Sequence, residues 1–111
     1  QRQVPFRQAM AMMLTGKRIQ AQQALAMGLV NEVVPRAELD AAVQRWVDDL
    51  LACAPLSLKA IKQVVRLTGS MTPSQAHATR LPAVVAALQS QDADEGVLAF
   101  QQKRKPQWSG R

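Results

Sequence analysis

Aromatic residues are scarce in this sequence: two Trp and two Phe make up 4% of its 111 residues, and Tyr is absent. Cysteine occurs once, as Cys53, which excludes an internal disulfide and a cysteine-rich metal site. No apolar run approaches the length of a transmembrane helix, and no segment has the pattern of a signal peptide. We therefore expect a soluble, intracellular protein.

Short motifs for cofactors and catalysis are missing as well. There is no GxGxxG, no P-loop and no zinc-ligand spacing. His77 has no HExxH partner, so we interpret it as a helix-surface or partly buried structural residue. Cys53 lies near the end of an apolar helix face and is interpreted as a small buried residue. Two carboxylate clusters are interpreted as a solvated helix face and as helix caps: Asp48 with Asp49, and Asp92, Asp94 and Glu95.

The composition favours helices. Hydrophobic residues make up 48% of the chain, and Ala, Leu, Val, Gln and Met dominate. Apolar periodicity with Pro, Gly and cap signals predicts six helices over about 5–15, 20–27, 39–54, 55–68, 73–88 and 92–105. Pro82 should kink or split the fifth. We predict a mainly α fold, with residues 1–54 and 55–111 as its two parts.

One segment is predicted to form a strand. Leu29–Val34 is β-rich and closed by Pro35. A single strand needs a sheet from elsewhere, and the chain begins at Gln1 rather than Met, so we expect further chain before Gln1.

The net charge of +6 is unevenly distributed. Residues 1–54 carry six basic and five acidic residues, whereas residues 55–111 carry eight and three. This bias suits a polyanionic partner, whether nucleic acid, phosphate or an acidic protein surface. A basic nucleic-acid-binding or assembly module is thus an alternative, although its aromatic and basic residues do not interleave as base-stacking platforms require. The basic stripe on the fourth helix is interpreted as solvated surface: Lys59, Lys62 and Arg66.

The last predicted helix carries the clearest ligand candidate. Asp92 with Glu95 three residues on predicts a capping box at its start. Phe100 and Lys103 would share one face, with Cβ atoms about 5–6 Å apart. The cations at 103–105 would lie at the negative end of the helix dipole, and Pro106 would stop the helix. From the residues alone, this cluster fits a solvated surface and a site for a flat anionic ligand equally well.

Four strings, in order, resemble the enoyl-CoA hydratase (crotonase) superfamily. They are MLTGKRI at 13–19, ALAMGLVNEVVP at 24–35, APLSLKAIK at 54–62, and the segment from Ser90 to Trp108, which is similar to S-x-D-x-x-EG-x-x-AF-x-x-KR-x-P-x-W. Gln20 departs from the family, which often places a Ser or Thr helix cap there.

The resemblance implies the C-terminal half of a crotonase-like α/β fold. It implies an enzyme acting on acyl-CoA thioesters, with a homotrimer or hexamer packed through residues 55–111. Its oxyanion hole and its one or two glutamates are expected upstream of Gln1, so the segment alone is expected to be inactive. Because the predicted strand and the Met-rich first helix lack partners within this chain, we also expect the isolated segment to be partly molten or associated. The expected location is the cytoplasm of a bacterium or the mitochondrial matrix of a eukaryote. Phe100 and Lys103 are similar to family residues that reach CoA bound in a neighbouring subunit. The resemblance implies coenzyme A as part of the substrate, with no metal and no nucleic acid or membrane. Hydration of a 2-enoyl thioester is the leading reaction, and double-bond isomerisation or carnitinyl-type dehydration are the alternatives.

Overall fold

The structure is a computed structural model that describes residues 3–111. Over that range it contains seven α-helices and one short 3₁₀ helix at Arg36–Glu38. The α-helices are α1 Phe6–Thr15, α2 Ala21–Ala26, α3 Leu39–Leu51, α4 Pro55–Thr68, α5 Pro73–Ala78, α6 Pro82–Leu88 and α7 Gln91–Gln101. The mainly helical class is confirmed. None of these helices has the length and apolar character that crossing a membrane requires.

Helix ends follow from the punctuating residues. Pro55 lies in the first turn of α4, and Thr72 caps α5 by accepting a hydrogen bond from the Gln75 N–H at 3.3 Å. The predicted split at Pro82 is confirmed, because the proline begins α6 after the break that follows α5.

The end of α2 is a Schellman motif. Gly28 has φ of 74°, its N–H donates to the Leu25 carbonyl at 3.0 Å, and the Leu29 N–H donates to the Ala24 carbonyl at 2.9 Å. Glycine takes the left-handed position of this turn, where it meets no steric penalty from a side chain.

The predicted strand at 29–34 is wrong: those residues form no strand, and none occurs elsewhere in residues 3–111. The physical reason is that a strand is completed by hydrogen bonds to a neighbouring strand, and this described chain supplies no partner. Helix α1 also leaves large apolar side chains exposed, Phe6, Met13 and Leu14, and Ala9 is the buried residue of this helix.

The chain divides into two compact units, residues 3–44 and Arg45–Arg111, with the boundary inside α3. In the second unit, α4 packs on α6, and α6 contacts α7. The Gln63 side chain fixes the first of these contacts by accepting a hydrogen bond from the Ala83 N–H at 3.0 Å. The division into 1–54 and 55–111 remains a prediction.

Candidate functional site

The candidate site is built on α7 and the segment that follows it, residues 103–111, which we call the C-terminal strap. The first turn of α7 differs from the prediction. Ser90 is the cap, because its hydroxyl accepts a hydrogen bond from the Ala93 N–H at 3.1 Å. The predicted capping box of Asp92 and Glu95 is wrong, since both carboxylates bind the strap instead.

Asp92 holds the far end of the strap. Its side chain is buried, with 2% exposure. Oδ1 accepts hydrogen bonds from the N–H of Ser109 at 2.6 Å and from its hydroxyl at 3.0 Å, and Oδ2 accepts one from the Gly110 N–H at 2.9 Å. Burial acts to raise the pKa of this carboxyl, but these donors outweigh it, and the pKa lies below its ordinary value.

Glu95 holds the near end. Its oxygens accept a fork of two hydrogen bonds from Arg104, Nη1–Oε1 at 2.6 Å and Nη2–Oε2 at 2.8 Å. The Gln107 N–H adds a third at 2.6 Å. The Arg104 hydrogen bonds, followed by that of Gln107, lower the pKa of Glu95 to about 2, and the same pairing raises the pKa of Arg104. Arg104 is therefore committed to an internal partner.

Trp108 pins the middle of the strap. Its indole Nε1–H donates to the Ala52 carbonyl at 2.8 Å, in the turn between α3 and α4. Its ring lies over Gly96, where a Cβ would be 3.5 Å from the ring atom Cη2. Gly110 approaches Pro55 nearby, at 3.6 Å from a Cβ position to Cγ. The strap is thus held at both ends and between them.

Helix α7 ends earlier than predicted. It stops at Gln101, and a second Schellman motif follows, in which the Lys103 N–H donates to the Phe100 carbonyl at 3.2 Å and the Arg104 N–H to the Ala99 carbonyl at 3.0 Å. Lys103 occupies the left-handed position with φ of 53°, the one non-glycine residue of the described chain with positive φ. Neither Pro106 nor the cations at 103–105 lie in the helix, so the predicted stop and the predicted helical spacing of Phe100 and Lys103 are wrong.

The structure nonetheless leaves both predicted site residues at one place, the last turn of α7 and the turn that follows it. The Phe100 side chain is 86% exposed, the highest value among the exposed large apolar residues. No carboxylate within residues 3–111 pairs with Lys103. An exposed aromatic face beside an uncompensated cation can hold a planar anionic group by stacking and charge.

Other candidates lie elsewhere. Lys59, Lys62 and Arg66 line an open groove of about 890 Å³ together with apolar residues of α3 and α4: Leu50, Leu58, Ile61 and Leu67. His77 is exposed on α5, as one of the two predicted alternatives had it. Cys53 is exposed, so its predicted burial is wrong; α3 ends at Leu51, and Cys53 lies beyond its apolar face. No group of three metal-ligating side chains occurs in the part of the chain that the structure describes.

The strap was not predicted. The predicted role of Asp92 and Glu95 is a local helix cap, and Trp108 has no predicted role. Ser90 was the available signal, because serine is as good a cap as aspartate and stands two positions earlier, which frees both carboxylates.

Comparisons with known proteins agree on one family. The whole sequence, residues 1–111, matches the model of the family described as enoyl-CoA hydratase/isomerase. A carnitinyl-CoA dehydratase of Escherichia coli K12 is 39% identical over 104 residues, which cover 90% of this chain and 40% of that protein. The crystal structure of an enoyl-CoA hydratase from Mycobacterium tuberculosis superposes with a TM-score of 0.89 at 32% identity, over 99% of this chain and 44% of the other. An enoyl-CoA hydratase from Polaromonas superposes with a TM-score of 0.85 at 33% identity, over 97% and 42%. The chain thus spans about 40% of the length of the curated relatives it matches.

Proposed function

The chain belongs to the enoyl-CoA hydratase/isomerase family, and we propose that it is part of an enzyme that moves water across the Cα–Cβ bond of an acyl-CoA thioester. In the hydration direction the hydroxyl of water bonds to Cβ and a proton to Cα, and dehydration is the reverse. The developing enolate oxygen would be stabilised by preorganised N–H donors, as the resemblance implies.

The observation that carries this proposal is the role that the structure gives to each residue of the motif between Ser90 and Trp108. Ser90 caps α7, Asp92 and Glu95 hold the strap, and the Trp108 ring lies over Gly96. Ala99 is buried, with 2% exposure. Arg104 pairs with Glu95.

Phe100 and Lys103 of the same motif differ from these residues. Phe100 exposes its ring, and Lys103 adopts a backbone conformation that glycine would adopt at lower cost. Both features are unfavourable for the stability of this segment, and both suit a ligand-binding site. We assign Phe100 to the adenine of CoA and Lys103 to a phosphate, both in the complex of a neighbouring subunit.

The relatives favour two substrates. Carnitinyl-CoA dehydratases at 36–39% identity support a dehydratase for a carnitinyl-type thioester. The structural neighbours named enoyl-CoA hydratase support hydration of simpler 2-enoyl thioesters. Both reactions exchange water at the same carbons, and isomerisation of the double bond is the third candidate.

We place no catalytic group in residues 3–111. Asp92 and Glu95 accept three hydrogen bonds each from the strap, which leaves neither free for proton transfer. The acid–base groups are proposed to lie in the part of the relatives that this chain does not span, with coenzyme A as part of the substrate and no metal.

We further propose assembly into a homotrimer or a hexamer. The second unit exposes large apolar side chains, including Leu51 at 72%, Val65 at 69% and Leu88 at 74%. Apolar surface on this scale is typical of interaction sites. Sedimentation of the natural-length protein tests this proposal, and a monomer at micromolar concentration would overturn it.

The test of activity uses the natural protein that contains this sequence. Crotonyl-CoA and carnitinyl-CoA are supplied separately, and the gain or loss of absorbance of the conjugated thioester is followed. We expect turnover of one or both. Failure to turn over either, together with no binding of CoA, would refute the proposal.

A further inference from the structure

The C-terminal strap leaves little freedom between the helix and its first anchor. Phe100 lies in the last turn of α7, and Arg104, held by the Glu95 fork, follows four residues later. Lys103 stands directly before that anchor. Its backbone therefore has a fixed point on each side: the last turn of α7 and the Arg104–Glu95 pair.

The conformation so fixed is one that lysine rarely adopts. With φ of 53°, Lys103 lies in the left-handed region, where a side chain crowds the following carbonyl. Such conformations persist where the surrounding contacts over-determine them, and they occur at ligand-binding sites. Around Lys103 those contacts are the two Schellman hydrogen bonds and the three hydrogen bonds that Glu95 accepts.

We propose that Glu95 is a positioning residue for the nucleotide end of acyl-CoA: through Arg104 and the Gln107 N–H, it holds Lys103 beside Phe100. This inference rests on the proposed function, because it takes the CoA nucleotide as the ligand of Phe100 and Lys103. Glu95 touches neither the ligand nor the reacting carbons, so its effect is on ligand binding and not on the chemical step.

The geometry separates this role from that of Asp92. Asp92 accepts hydrogen bonds from Ser109 and Gly110, six and seven residues beyond Lys103, and Trp108 lies between. Asp92 therefore anchors the end of the strap. Glu95 is the carboxylate that binds the residue next to Lys103.

The experiment compares Glu95→Gln with Glu38→Gln in the natural-length protein. Glu38 undergoes the same chemical change but is an exposed residue of the 3₁₀ helix, in the first compact unit. Glutamine at position 95 has one acceptor oxygen where the fork needs two, and it carries no charge. Each protein is assayed with crotonyl-CoA and with crotonyl-pantetheine, which has the reacting thioester without the nucleotide.

For Glu95→Gln we expect KM for crotonyl-CoA to rise about tenfold, the equivalent of one lost charge-assisted contact. We expect kcat to be unchanged, and both constants for crotonyl-pantetheine to be unchanged. Glu38→Gln should match the wild type on both substrates. Arg104→Lys, which keeps the charge but gives up the fork, should have an intermediate KM for crotonyl-CoA and serves as the second variant if Glu95→Gln does not fold.

Equal losses on both thioesters would show a merely structural role and overturn the proposal. So would an unchanged KM for crotonyl-CoA in Glu95→Gln and Arg104→Lys alike. If the wild type prefers crotonyl-CoA but the variants keep that preference, the positioning role fails while the proposed function stands. If the wild type neither binds CoA nor turns over either thioester, the proposed function fails, and the positioning role fails with it.

Discussion

Replacing Lys103 with glycine should make the protein more stable and its CoA binding weaker. A left-handed conformation costs a residue with a side chain about 1–2 kcal/mol, and Lys103 has φ of 53°. Glycine removes that cost but loses about 0.5–1 kcal/mol through its greater freedom in the unfolded chain. The net expectation is a gain of about 0.5–1 kcal/mol in the free energy of unfolding. Loss of the ammonium should at the same time weaken CoA binding by about tenfold.

Urea unfolding and calorimetric titration with CoA measure the two effects on the same samples. Lys105→Gly is the matched control, because it removes the same charge from a residue whose φ is not positive. Its stability should fall by about 0.5–1 kcal/mol, the ordinary cost of glycine. Destabilisation by Lys103→Gly as large as that of the control would refute the argument that Lys103 is strained.

Three further predictions concern stability. Gly96→Ala should raise the free energy of unfolding by up to about 1 kcal/mol, because alanine favours a helix more than glycine does and its Cβ would meet the Trp108 ring at an ordinary contact of 3.5 Å. Gly16→Ala, at φ of 60°, should lower the free energy of unfolding by about 1 kcal/mol. Urea midpoints check both, and the same sign for the two would contradict the account. Trp108→Phe removes the hydrogen bond to the Ala52 carbonyl and should cost about 1 kcal/mol in the free energy of unfolding, whereas no loss would show that this bond contributes nothing. The pKa of Glu95 is about 2 in the folded protein against an ordinary 4.5, so its contribution to the free energy of unfolding is complete above pH 4.5 and is lost as the pH falls through 2. The difference in the free energy of unfolding between wild type and Glu95→Gln should therefore shrink between pH 4.5 and 2, and a constant difference would contradict the pairing of Glu95 with Arg104.

Local signals predicted most of the helices correctly. The start of α4 at Pro55, the capped start of α5 and the split at Pro82 each depend on residues within one turn of the boundary. The Gly28 turn is equally local. Such features can be read from a single sequence because the cause and its effect are only a few residues apart.

The errors have longer-range causes. The partners of Asp92 lie 17 and 18 residues along the chain, and those of Glu95 lie nine and 12 residues along. A carboxylate in a first helical turn suits a local cap and a distant anchor equally well, so the pattern does not choose between them. Strand pairing is non-local in the same way, which is why the β-rich run at 29–34 was overpredicted.

The proposed site was predicted in part. The resemblance gave Phe100 and Lys103, and the structure adds the exposure of the ring and the left-handed turn at the lysine. It also shows that Arg104, predicted as part of the same cationic cluster, is paired with Glu95. That pairing depends on the chain reversing after α7, which helical periodicity cannot indicate.

Titration of CoA into the natural-length protein, with Phe100→Ala as the variant, tests the central claim most directly. Phe100 is 86% exposed, so its removal should leave the melting temperature unchanged. Stacking of a base on an aromatic ring is worth about 1–3 kcal/mol, so we expect the variant to bind CoA about tenfold more weakly or worse. Equal affinity of the two proteins for CoA, or no binding by the wild type, would contradict the account.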